Sequence, residues 1–327
     1  MECLLFARRP REAVGHQSEH RPRLDYGRTM ALSRTRRLFA AAMTAAPLLA
    51  RAHQEAEAIG PIEFITLIAL GCAAFAYGLR VRALWRHPRD ARRLPAWRAA
   101  CFGLALSALG AALVGPLDAL AATSFSMHMV QHMLIMAVAA PLLALGAPMA
   151  PLLRGSPPVV RRWLLGRAAA LTRPFVAFLL HGLTVWFWHA PGPYEAALAS
   201  EPVHVLEHGS FLFTALLFWY SLLHAGRNAA AHHGAGAFWS LATVMHSGLL
   251  GALLTFATTP LYPSYRHAAP FGWTALEDQQ LAGLVMWVPA GLMYLTAGLY
   301  SMAAWLRAVE AGAHVGHGRG ETTRAGG

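Results

Sequence analysis

The sequence predicts an all-α protein: a polytopic transmembrane helical bundle of about seven spans, preceded by a signal peptide. Three observations carry this reading. Hydrophobic residue types make up 56% of the 327 residues and charged types only 13%, about half the charged share of a soluble domain. The charges are not dispersed but collect between long apolar runs. Those runs reach roughly 18 residues or more, enough for a helix to cross a hydrocarbon core about 30 Å thick. In that medium the backbone must satisfy its own hydrogen bonds, so helices are the default.

The net charge of +11 taken alone suits a nucleic-acid partner, but its distribution excludes one. There is no Lys; every basic side chain is Arg. Those Arg cluster in the N-terminal segment and in alternate inter-helix loops, where a membrane protein places charge to fix its orientation. Of the three cysteines, Cys72 and Cys101 lie inside apolar runs and none forms a CxxC. A disulfide framework or thiolate metal site is therefore not expected.

Residues 1–29 are polar, Arg-rich and aperiodic. Met30 then opens a second pattern, with Arg34, Arg36 and Arg37 before the apolar stretch Leu38–Ala50 and the small-x-small triplet Ala50-Arg51-Ala52. That is the layout of a signal peptide. The chain thus divides into an N-terminal extension with signal peptide (1–52), a seven-helix transmembrane domain (53–308) and a disordered cytoplasmic tail (309–327). Cleavage after Ala52 would expose His53, whose amine and imidazole together chelate copper.

The spans are expected near Pro61–Arg80, Trp97–Gly115, Met127–Ala147, Pro174–Ala190, Val203–His224, Phe238–Thr259 and Leu281–Leu306. The first, third and fifth connections and the tail hold nearly all the remaining Arg. Residues 116–126 and 191–202 have none, and 260–280 have only Arg266; these stretches carry Asp118, Glu195, Glu201, Glu277 and Asp278 instead. The positive-inside rule puts the Arg-rich loops and the C-terminus in the cytoplasm and the mature N-terminus outside. The expected location is the bacterial inner (cell) membrane.

Ionisable residues inside spans are rare and usually functional. His128 and His132 share one helix face at the start of the third span, and Met136 continues the line one turn deeper. Two imidazoles and a thioether suit copper, Cu(I) in particular. His204 and His208 open the fifth span in the same way, with Glu207 between them. His246 lies near mid-membrane in the sixth span. These six, His128, His132, Met136, His204, His208 and His246, are the candidate metal ligands. His189, Glu207 and Asp278 are weaker or supporting candidates, Asp278 as a carboxylate that orients an imidazole. His128, His132, His189, His204, His208 and Asp278 all fall at the outer ends of their helices, so one bundle can gather them around one outward-facing cavity.

Plainer alternatives stand beside this. A membrane histidine can serve only as a helix–helix hydrogen-bond partner, and methionine is common core filler. His204-x-x-Glu207-His208 has the inverted zinc-protease spacing, and paired histidines on different spans can hold haem from both sides. No nucleophile–base pair or phosphate-binding Gly loop is evident, so no enzyme activity is expected.

Read in order, several segments resemble one family. They are His128-Met129-Val130-Gln131-His132, the run Ala139 to Pro148 around Pro141-Leu142-Leu143, and Trp188-His189-Ala190-Pro191 with Tyr194. Glu207-His208, Pro260-Leu261-Tyr262 with Tyr265, and Asp278-Gln279-Gln280 through Trp287 complete the set. Together they resemble the CtaG family of caa3-type cytochrome c oxidase assembly factors, the polytopic family and not the single-span copper chaperone of the same name. The resemblance covers about residues 60–307. It implies a role in maturing a haem–copper oxidase, most simply by handling copper, with oxidase subunits and copper chaperones as partners. A haem-binding redox protein and a metal-free assembly scaffold are the alternatives.

Overall fold

The computed structural model describes residues 60–86, 91–92, 94–147, 153, 156–224, 229–265 and 272–324, with side chains from 231 to 310 in the last part of the chain where these are described. The expected signal peptide, His53 and Arg266 lie outside the described residues. Among the described residues the regular structure is entirely helical. Six helices are long and apolar enough to cross a membrane, and a bent pair makes a seventh if counted as one span.

The helices are α1 (Pro61–Trp85), α2 (Ala96–Leu113), α3 (Pro116–Ala121) and α4 (Phe125–Met133), the last running on through a π-helical turn (Leu134–Ala139) into α5 (Ala140–Gly146). There follow α6 (Pro158–Leu171), α7 (Pro174–His189), α8 (Pro191–Ala199), α9 (Glu201–Leu223), α10 (Ala229–Thr255) and α11 (Ala275–Arg324). Proline starts α1, α3, α6, α7 and α8, at the position where its missing N–H leaves nothing unpaired. Pro174 also holds Arg173 extended (φ −62°, ψ 131°), as the residue before proline must be, and α6 and α7 meet at a 72° bend. The span expected at Pro174–Ala190 is therefore a 16-residue helix, about 24 Å long and short of a full crossing by itself.

Two expected boundaries shift further. The last span was expected to end near Leu306, whereas helical backbone continues to Arg324. Ala, Val and Glu follow Arg307 with no proline, and extending a formed helix needs no new nucleus. The sixth span begins at Ala229 rather than near Phe238, because the Ala-rich lead-in extends the same helix.

The π turn has a local cause. Pro141 has no N–H and its ring crowds the preceding turn. The ladder widens there, and the Ala140 N–H bonds to Ile135 O, five residues back. In that pattern Pro141 leaves the Met136 carbonyl without a backbone donor. Trp219 Nε1 on α9 supplies one at 2.9 Å.

Helices α4, α5 and the π turn form the centre, packed against α2, α9 and α11. α10 runs along α11 at backbone contact: a Cβ on Gly251 would stand 2.9 Å from the Gly283 carbonyl oxygen. Close approach at small residues is how apolar helices associate without a hydrophobic drive. α1 packs chiefly on α2 and leaves Phe64, Ile65 and Phe75 exposed, the surface expected toward lipid.

Asp278 locks α11 to the start of α4. Its carboxylate accepts from the Phe125 N–H (2.7 Å), the Ser126 N–H (3.3 Å), Ser126 Oγ (2.5 Å) and Ser124 Oγ (3.0 and 3.2 Å). It therefore serves as the acceptor for the free donors of a helix N-terminus, where the helix dipole also favours negative charge. α11 itself starts in a capping box, with Glu277 Oε2 accepting the Thr274 N–H (2.8 Å) and Thr274 Oγ1 accepting the Glu277 N–H (3.2 Å). Replacing Asp278 by Ala strands buried donors and should lower stability by about 2–3 kcal/mol, with Asn intermediate. Thermal unfolding in detergent reads this out, and an unchanged midpoint for D278A would remove the capping role.

Candidate metal centre

α4 presents His128 and His132 one turn apart on its buried face, with ring centroids 4.5 Å apart. α9 presents His204 and His208 against them, 4.2 Å apart. The two pairs interleave: His128 lies 5.3 Å from His204 and His132 lies 5.2 Å from His208, centroid to centroid. His189, at the end of α7, stands 5.8 Å from His132. Glu207 projects into the middle, with Oε2 4.0 Å from His128 Nε2 and Oε1 3.8 Å from His132 Nε2. His132 and Glu207 are fully buried (0% exposed).

Hydrogen bonds decide which ring nitrogens carry protons. Tyr265 donates its hydroxyl proton to Ala121 O at 2.9 Å. Its oxygen therefore accepts from His128 Nδ1, 2.9 Å away. His189 Nδ1 lies 2.7 Å from Val185 O, and a carbonyl only accepts. Both rings thus carry the proton on Nδ1, and each Nε2 keeps its lone pair. His128 Nε2 then faces a carboxylate oxygen, acceptor to acceptor. Neither oxygen of Glu207 and neither ring nitrogen of His132 has a hydrogen-bond partner among the described residues, and the same holds for Nε2 of His189, His204 and His208.

One ligand atom each from His128, His204, Glu207 and His208 lies within 4.8 Å of all the others. Imidazole–metal bonds of about 2.0–2.1 Å place ligand atoms on opposite sides of an ion about 4 Å apart, so closing this set takes movements of about 1 Å or less. The donor set therefore fits a metal ion: lone pairs converge, and one carboxylate offsets the charge. Tyr265 and Val185 supply the second hydrogen bond that ligating imidazoles commonly make.

Residues 75–308 match the family described as cytochrome c oxidase caa3 assembly factor. The chain belongs to this family. Searches of curated proteins and of solved structures find no match. The matched region contains every residue of the histidine cluster.

Not every residue singled out from sequence joins the cluster. His128, His132, His204, His208, Glu207 and His189 are brought together. Asp278 is engaged at the α4 N-terminus and has no imidazole partner among its hydrogen bonds. Met136 and His246 instead line a separate, deeper cavity. Tyr265 orients His128, a role that sequence alone did not assign; its place in the Pro260–Tyr265 segment was the signal for it.

A pocket of about 190 Å³ reaches His204 and His208 from between α1 and α9, and Glu63, Asp118 and Glu201 also line it. Burial pushes the Asp118 carboxyl above the ordinary carboxylate range; a hydrogen bond from Gln131 opposes this and the nearby Glu63 and Glu201 add to it. The Gln131 bond is 2.7 Å long. In metal-free protein, ¹⁵N NMR should find neutral His128 and His189 with the proton on Nδ1. Y265F should release that preference in His128 alone; an Nε2–H ring at His128 in the wild type would contradict the assignment.

Proposed function

We propose that this CtaG-family protein assists maturation of a caa3-type cytochrome c oxidase by binding copper at the histidine–glutamate cluster and delivering it to an oxidase subunit. The supporting observation is the convergence of His128, His204, His208 and Glu207 on one point, with the Nε2 atoms of the three rings and both Glu207 oxygens buried and without hydrogen-bond partners among the described residues. Two acceptors held face to face in a dry interior are unfavourable, and a cation between them relieves the repulsion. Imidazole with carboxylate suits copper, though zinc shares these donors; the role in building a copper-containing oxidase favours copper. His128, His204, Glu207 and His208 would hold the ion, with His132 and His189 beside them for exchange. The reading is one of carriage, with no bond made or broken in a substrate.

The site is proposed to face outside. The Arg-poor connections lie at the cluster's end of the bundle, which supports that orientation. The acid-lined pocket is the natural approach, because carboxylates at a low-dielectric crevice raise the local concentration of cations. A haem reading is less well supported: the cluster rings pack against one another at 4.2–5.8 Å, a spacing that favours one ion over a macrocycle between them.

Elemental analysis and a visible spectrum of protein purified from copper-replete cells test this. Copper should be retained, fall to background in H128A/H132A, and bind at least ~10-fold more weakly in E207Q. A Soret band, or zinc in place of copper, would defeat the proposal. A deletion strain should lose oxidase copper signals and activity; normal signals would remove the assembly role. E63Q/E201Q should slow copper loading several-fold at low salt while leaving the final stoichiometry intact.

A further inference from the structure

Deeper in the bundle is a second cavity of about 20 Å³, enough for one water-sized body, which needs about 10–15 Å³. Met133, Met136, Met286, His181, His246 and Tyr294 line it. The two histidines differ in what their nitrogens do. His181 is committed: Nδ1 pairs with Thr214 Oγ1 at 3.3 Å and Nε2 with the Tyr294 hydroxyl at 3.0 Å. His246 is not. Its Nε2 is shielded from solvent and has no hydrogen-bond partner among the described residues, and its Nδ1 receives only a long contact from Trp186 Nε1 at 3.4 Å. Gly182 makes space for this ring: a Cβ there would stand 3.4 Å from His246 Nε2.

Methionine alone would be ordinary filler. Filler does not require an imidazole in the same wall, where an unpaired buried nitrogen costs about 1–3 kcal/mol. Nor does this wall contain a carboxylate. A divalent ion would bring two uncompensated charges into an apolar interior, which is prohibitive. A monovalent soft ion brings one, and thioethers are its preferred ligands. We infer a second metal site, distinct from the histidine–glutamate cluster, in which Met133, Met136, Met286 and His246 bind a single Cu(I) ion.

Binding through His246 Nε2 puts the ring proton on Nδ1 and gives up the Trp186 contact. His132, Met133 and Met136 lie on one continuous helix, so the donors of the two sites are separated by about 1.5 Å of axial rise at Met133 and about 6 Å at Met136. Passage between them is ligand exchange at Cu(I): no electron moves, and nitrogen or oxygen ligands are replaced by sulfur. The inference stands on the deeper cavity and does not require the first site.

The test uses the full chain in detergent, in the wild type and in H128A/H132A, titrated with Cu(I) against a competing chelator and read by copper K-edge absorption. H128A/H132A should retain one Cu(I) with sulfur scatterers. M133L/M286L in that background should lose at least 10-fold in affinity and the sulfur signal, while the thermal midpoint holds because Met→Leu conserves volume. H246A should weaken binding and leave sulfur scattering in what remains. Copper with only nitrogen and oxygen scatterers, or affinity unchanged in M133L/M286L, would overturn the inference. Sulfur-ligated copper with identical stoichiometry in wild type and H128A/H132A would uphold it while refuting the first site. No Cu(I) bound by either protein would refute both.

Discussion

The arrangement depends on one buried contact, the Asp278 carboxylate on the N-terminus of α4. Helix α4 starts inside the protein, where water cannot serve its free N–H groups. Asp278 reaches them from α11, and Ser124 and Ser126 close the remaining contacts. This fixes the depth of α4 relative to α11, and with it the height of His128 and His132. The neighbouring Gln279 extends the same support: its Oε1 accepts the Leu261 N–H at 2.7 Å, holding the segment that carries Tyr262 and Tyr265. Tyr262 donates to His189 O at 2.8 Å, and Tyr265 orients His128. One acidic-amide segment at the head of α11 thus positions the two rings whose tautomers are fixed.

Against that well-paired frame, the cluster itself is under-paired. A folded interior normally satisfies its buried polar groups, and the Asp278 region does so in full. A few residues away, both Glu207 oxygens and the facing imidazole nitrogens have no hydrogen-bond partner among the described residues. Departures from local consistency are expected where function needs them. Surrounding rings keep water out and make the mismatch costly: the Phe211 ring lies 4.7 Å from His132, and Tyr194 lies 5.3 Å from His128. Either a proton or a metal cation relieves it, and a metal cation also accounts for three imidazoles and one carboxylate meeting at one point.

Much of the fold was legible in the sequence because it follows from local rules: the length of the apolar runs and the clustering of charge between them. The pairing of His128 with His132, and of His204 with His208, followed from helical periodicity, and their convergence from common placement at one end of the spans. Three features were not legible. Asp278 looked like an imidazole partner because an acidic residue in a span suggests function, but helix termini compete for the same carboxylate. Met136 and His246 looked like partners of the upper cluster because periodicity gives a face and not a depth. The α6–α7 bend depends on whether Arg161, Arg162 and Arg167 belong to a loop or to a helix, which composition alone leaves undecided.

The separation of Met136 and His246 from the upper cluster alters the chemistry assigned to each. Taken as one set, histidines and methionine describe a mixed Cu(I) site. Taken as placed, donors grade along the molecule: carboxylates of Glu63, Asp118 and Glu201 in the approach, imidazoles with one carboxylate in the cluster, thioethers with one imidazole below. Hard donors suit a hydrated cation, borderline ones a partly desolvated one, and soft ones a bare monovalent ion. The available negative charge falls in the same order as the surroundings become drier, so a copper ion moving inward on the proposed route would exchange charge compensation for softness of ligand. α4 with its π turn carries donors of both sets, His128 and His132 above and Met133 and Met136 below, and the Trp219 bond to the Met136 carbonyl holds the turn where the two sets meet.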